Sequence, residues 1–107
     1  MSWTFEFASQ VAIDEAAALP NDLRSKLERF ADLIREYGIA AMREPYAKHL
    51  EGKLWELRLK GKSGIARSLY VTVTGQRVVV VRTFVKKTQK TPRREIALAL
   101  ARAKEIE

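Results

Sequence analysis

At the start of the chain Trp3, Phe5 and Phe7 alternate with Ser2, Thr4 and Glu6, the period-two pattern of a strand with one buried face. The period then changes. After Leu19-Pro20-Asn21-Asp22, which supplies a helix-start signal, Leu23, Leu27, Phe30, Ile34 and Tyr37 recur at helical spacing, and Gly38 is placed to end the helix. Asp22, Glu28, Asp32 and Glu36 read as its wet face. Ile39 to Glu44 reads as a further short helical stretch ended by Pro45, followed by a polar connection through Lys48, His49, Glu51 and Gly52.

From Leu54 the period returns to two, with Trp55, Leu57 and Leu59 on one face and Glu56, Arg58 and Lys60 on the other. Gly61-Lys62-Ser63-Gly64 reads as a hairpin loop, Ile65 to Thr74 as the next strand, Gly75-Gln76 as a turn and Arg77 to Val85 as a last strand. The run Val78 to Val81 predicts a strand buried on both faces at its start. Thr91-Pro92 offers an N-cap residue followed by a helix-opening proline, and Ile96, Ala99, Leu100 and Ala103 mark an apolar stripe. The expected architecture is α+β: one antiparallel sheet, made of the N-terminal strand and a three-stranded meander, packed by N-terminal helices and a C-terminal helix. One phase conflict stands out. Strict alternation from Leu69, Val71 and Val73 puts Arg67 on their apolar face, so either that face opens near the hairpin or a bulge reverses the phase.

The 107 residues fit a single domain, 1–107, large enough for one core. No apolar run approaches the roughly 20 residues that span a bilayer, and the first residues lack the pattern of a secretory signal, so no membrane association and a cytoplasmic location are expected. The absence of cysteine excludes disulfides, thiolate catalysis and zinc sites using sulfur. Charge adds a direction. Residues 1–47 carry 5 Lys/Arg against 8 Asp/Glu, whereas residues 48–107 carry 15 against 5, so the net +7 is concentrated in the strand-rich half. Such a field favours a polyanionic partner through steering and counterion release.

The familiar catalytic sets are missing. The single histidine, His49, has no second histidine to share a metal and reads as a solvated structural residue. There is no phosphate-binding Gly-rich loop and no GxSxG elbow, and the placement of the acids argues against a two-metal nuclease. No metal or cofactor is expected. What remains is a set of cations: Arg58, Lys60, Lys62, Arg67, Lys86, Lys87, Lys90, Arg93 and Arg94. Pairing of the meander brings several of them to one end of the sheet. RNA can be cut there without a metal, because its 2′-hydroxyl attacks the neighbouring phosphate and needs only proton removal, charge stabilisation and leaving-group protonation. A lysine crowded by cations can move protons, and arginine can hold phosphorane oxygens. A binding surface without chemistry fits the same cations.

The segments Leu54-Trp55-Glu56-Leu57-Arg58, Ala66-Arg67-Ser68-Leu69-Tyr70 and Phe84-Val85-Lys86-Lys87-Thr88-Gln89-Lys90-Thr91-Pro92 resemble, in order and spacing, the RelE/ParE toxin superfamily, and most of all its phage-derived, HigB-like branch. The likeness covers about half the chain. It implies a RelE-like fold and a type II toxin: an endoribonuclease that cuts messenger RNA on the ribosome and inhibits translation. It also implies a cognate antitoxin, often one with a helix-turn-helix domain. Carried onto this sequence, the catalytic positions fall on Arg58, Arg67, Lys86 and Lys87, with Arg67 foremost. Lys60, Lys62, Lys90, Arg93 and Arg94 would bind RNA. Family members that carry a Tyr or His near the C-terminal helix have no aromatic counterpart here. The ParE-like branch, which poisons DNA gyrase without being a nuclease, and a non-catalytic nucleic-acid-binding module of the same fold are the alternatives.

Overall fold

The structure, a computed structural model, describes residues 3–87 and 90–106; Thr88 and Gln89 of the third segment above, and Ser2 of the first strand, lie outside them. The strands are β1 (Thr4–Phe7), β2 (Ala47–Glu51), β3 (Leu54–Gly61), β4 (Gly64–Val73) and β5 (Arg77–Lys86), and the helices are α1 (Gln10–Ala17), α2 (Asn21–Tyr37) and α3 (Arg93–Ala103). The strands form one sheet in the order β1-β5-β4-β3-β2. α1 and α2 pack on one face and α3 on the other.

The β3-β4-β5 meander forms as expected, although Trp55 of the predicted core face is 39% exposed, Glu56 of the charged face is buried and β5 changes phase midway. The β3–β4 hairpin pairs Gly61 with Gly64 around Lys62-Ser63, and Gly75 (φ 94) and Gln76 (φ 60) turn β4 into β5 in left-handed backbone. Val78 to Val81 are all buried, Val78 and Val80 toward the α1/α2 core and Val79 and Val81 toward the α3 core. In α2, Leu23, Leu27, Phe30 and Ile34 are buried as their spacing demands, but Tyr37 is exposed. Gly38 ends the helix at φ 86, where a Cβ would come 2.7 Å from Trp3 Nε1.

Three expectations are corrected, and one element was not anticipated. The sheet is mixed, because β1 lies parallel to β5; alternation fixes which face a residue takes but not which way its strand runs. Residues 47–51, expected as a polar connection, form the edge strand β2, antiparallel to β3. Only Ala47 is buried there, while Lys48 and His49 face solvent, so an edge strand carries no apolar alternation to read. The helical stretch expected at Ile39 to Glu44 is a single 3-10 turn, Ile39–Ala41. α1 has no line of its own in the apolar pattern because its buried residues are Ala12 and Ala16, too small to mark a stripe; its signal is Ser9, whose side chain accepts the Ala12 N–H at 3.3 Å as an N-cap.

Asp22 also departs from the wet face assigned to it. Its carboxylate accepts the Ser63 N–H at 2.8 Å and the Ser63 hydroxyl at 2.6 Å, tying the β3–β4 hairpin to the start of α2. A Cβ on Gly61 would sit 2.5 Å from Asp22 Oδ2, so the close approach depends on glycine there.

On the other edge of the sheet Arg77 grips Glu6 with two hydrogen bonds of 2.9 Å, binding β1 to β5. The Arg77 guanidinium, helped by the Thr4 hydroxyl, lowers the Glu6 carboxyl from 4.5 to about 2. Because the folded value lies below the unfolded one, the pair stabilises the fold fully above about pH 4.5 and the contribution disappears as pH falls through about 2. Unfolding midpoints of wild type and Glu6→Gln, measured against pH, should be separated near neutrality and converge toward the acid limit; a gap that stays constant with pH would contradict this.

Candidate functional site

The phase conflict at Arg67 is resolved by burial beside a carboxylate: Arg67 stays on the apolar face, paired with Glu56, and the bulge acts on the neighbouring strand. Along β4 the alternation stays strict: Ala66 and Tyr70 join the α1/α2 core, while Leu69 and Val71 join the α3 core, with Arg67 on their side. α3 covers the Leu69 and Val71 end of this face, and Arg67 lies beyond it toward the hairpin. In β5 the pairing passes from Tyr70 opposite Val80 to Leu69 opposite Arg82, so Val81 is an extra residue. That one-residue insertion reverses the phase of β5. Phe84 is consequently opposite Arg67, and Lys86 opposite Ile65, on the face that Arg58 and Lys60 also take by register. Three strands thus deliver Arg58, Arg67 and Lys86 to one place.

The centre of this cluster is Glu56, which the alternation assigned to a charged outer face and which is 2% exposed. Arg58 Nε donates to its Oε2 at 3.0 Å, and Arg67 Nε lies 3.4 Å from the same oxygen, an ion pair rather than an aligned hydrogen bond. Arg67 Nη1 also donates to its neighbour's carbonyl, Ala66 O, at 3.2 Å. The other carboxylate oxygen, Oε1, accepts from the Thr91 hydroxyl. Thr91 is therefore not the helix cap expected of it. α3 begins one residue later, after Pro92, with no side-chain cap, because the hydroxyl is used across the sheet.

Electrostatics follow from this packing. Arg67 is 7% and Lys86 5% exposed. Burial is the largest influence lowering the Arg67 pKa, opposed by Glu56 and reinforced by Arg58; a guanidinium nonetheless keeps its charge. Lys86 is held below the ordinary lysine value first by burial and then by the Arg67 charge, with Glu56 pulling the other way and Arg58 adding to the fall. The arrangement is a fixed arginine charge beside an ammonium whose proton is loosened, both moderated by one buried carboxylate.

The remaining candidates divide. Lys60 and Lys62 are exposed on β3 and the hairpin, and Lys87, Lys90 and Arg94 are exposed around the segment between β5 and α3. Arg93 pairs with Glu51 at the end of β2 and lines a groove beside Lys53 and α3, away from the cluster. His49 is accounted for by a 2.7 Å contact of Nε2 with Gly52 O and an edge-to-face contact with Trp55. Glu56 was missed as a site residue because nothing in the alternation distinguishes a buried carboxylate from a wet one. Among the described residues no three His, Asp or Glu side chains gather as a metal site would require, and no helix is long and apolar enough to cross a membrane.

Sheet order and helix placement define a small α+β protein of RelE-like fold. A chain of the crystal structure of the archaeal RelE–RelB complex from Pyrococcus horikoshii OT3 superposes with a TM-score of 0.58 at 17% identity, over 79% of this chain and 96% of that one. Residues 14–104 match the model of the phage-derived Gp49-like proteins (DUF891), and the chain belongs to that family. No curated protein matches its sequence.

Removing the carboxylate would leave Arg67 and Lys86 buried with their mutual repulsion uncompensated. Glu56→Gln should lower stability by about 3–5 kcal/mol, the usual result of breaking a buried charge pair, and should lower the Lys86 pKa further. Denaturant titration and side-chain NMR of labelled lysine check the two effects; an unchanged Lys86 titration would show that Glu56 does not set its charge.

Proposed function

We propose that this protein is the toxin of a type II toxin–antitoxin pair, a metal-independent endoribonuclease that cuts messenger RNA on the ribosome in the cytoplasm. The observation that carries this reading is the convergence of Arg58, Arg67 and Lys86 around the buried Glu56, beside a cleft that Arg58 and Arg67 line. Family membership and the shared RelE-like fold support it.

In this mechanism the scissile phosphate lies against Arg67 and Arg58. Lys86, acidified by burial and by Arg67, takes the proton of the 2′-hydroxyl through its neutral form. The 2′-oxygen bonds to phosphorus, the two arginines stabilise the charge on the phosphorane oxygens, and the bond to the 5′-oxygen breaks. That oxygen leaves with a proton from the solvent side, where Lys87 lies exposed. The products are a 2′,3′-cyclic phosphate and a 5′-hydroxyl. Lys60, Lys62, Lys90 and Arg94 hold the RNA backbone or ribosomal RNA. Arg93, engaged by Glu51, contributes least.

The archaeal neighbour is part of a RelE–RelB complex, and by analogy a cognate antitoxin, of the helix-turn-helix type, restrains this protein. An acidic antitoxin segment lying over the cations would match their charge and close off phosphate access.

Primer extension on a defined message in a translating extract tests the reading. Wild type should produce new cuts, and Arg67→Ala should reduce their rate by about 10²–10³-fold, the scale for removing one transition-state charge donor, while unfolding as cooperatively as wild type. Intact messages with arrested growth would instead favour the gyrase-poisoning alternative.

A further inference from the structure

β2 pairs with β3 only as far as Ala47 opposite Leu57, and one step further Tyr46 O accepts the Arg58 N–H at 2.8 Å. Beyond that point the edge of β3 is not covered by β2, and a cleft of about 450 Å³ wraps around it. Its lining includes Lys26 and Phe30 from α2, Tyr46, and Arg58, Lys60 and Arg67 from the hairpin strands, with no acidic side chain. The Tyr46 ring is 51% exposed and is buttressed edge-on by the buried Phe30, with ring centroids 5.7 Å apart.

An exposed aromatic ring set edge-on against a buried one, among four cations of which two also pair with Glu56, is an arrangement by which proteins hold unpaired bases. The ring takes the base and the cations take the flanking phosphates, and stacking does not depend on which base is present. An acidic peptide would meet the cations with its carboxylates but would use the ring only where an apolar or aromatic side chain fell beside them.

We propose that this cleft seats a single-stranded RNA base stacked on Tyr46, next to the phosphate held by Arg67 and Arg58. This assigns Tyr46 as a positioning residue and rests on the nuclease reading given above. A base gripped on one side of the phosphate fixes the register in which the strand crosses the cluster, so that cutting follows the seated base.

The test uses a single-stranded RNA made uncleavable by 2′-O-methyl groups and carrying the fluorescent base 2-aminopurine at successive positions, titrated at low salt with wild type, Tyr46→Phe and Tyr46→Leu. Tyr46→Phe keeps the ring, and Tyr46→Leu keeps apolar contact with Phe30 but removes the stacking face. Wild type and Tyr46→Phe should quench the probe at one position with similar affinity. Tyr46→Leu should bind on the order of tenfold more weakly, as expected for one lost stack, and lose the quenching without a change in unfolding midpoint. Equal quenching by Tyr46→Leu, or none by wild type at any position, overturns the base seat. Cleavage of an unmodified message in a translating extract separates the two readings. A wild type that quenches but never cuts leaves the seat standing and removes the nuclease. A Tyr46→Leu that cuts at the same positions with unchanged KM removes the seat alone.

Discussion

A carboxylate with almost no access to water, surrounded by two arginines and a lysine, is the constraint around which this protein is built. Glu56 is buried in the sheet with Arg58 and Arg67 on one of its oxygens, and those cations are packed together around it. Neither half of the cluster is stable in isolation, so the strands that carry them must meet in one register. The hairpin supplies Arg58 and Arg67 as direct cross-strand partners. β5 reaches the same face only because Val81 is inserted and turns its phase. Thr91 then draws the segment before α3 onto the same carboxylate.

A second charge network holds the other end of that face. Arg82 donates to Glu95 at 2.7 Å and to Glu15 at 2.7 Å, and Arg102 donates to Glu15 at 2.9 Å and to Val81 O at 2.8 Å. This links α1, β5 and both ends of α3 across the edge of the sheet, at the bulge itself. Arg82 takes part because the bulge places it opposite Leu69 rather than on the α1/α2 side. One inserted residue therefore sets both the clamp on α3 and the position of Lys86. Since α3 is fixed over the Leu69 and Val71 end, the cluster at the hairpin end keeps its approach from the cleft beside Tyr46.

How far the sequence reveals this depends on the physics of each element. The meander and α2 were legible because large apolar residues recur at the strand or helix period, and the hairpin glycines mark their turns. β2 was not, being an edge strand with one buried alanine, and α1 was not, because alanines make its contacts. The parallel pairing of β1 depends on a crossover that no local pattern encodes. At the site, Arg58, Arg67 and Lys86 could be selected as cations at strand ends and through the family likeness. The carboxylate joining them could not, because burial of a charge is decided by partners distant in sequence. Tyr46 stands alone in an irregular stretch, and only the packing of Phe30 beneath it gives it a role.

Whether a nucleic-acid phosphate binds against the arginines around Glu56 is tested by NMR of the arginine side-chain Nε–Hε groups during titration with an uncleavable 2′-O-methyl RNA. Arg67 and Arg58 should shift together and saturably, while Arg77 and Arg102, engaged by Glu6 and Glu15 elsewhere in the fold, stay in place. Saturable binding that leaves Arg67 and Arg58 unmoved would contradict it.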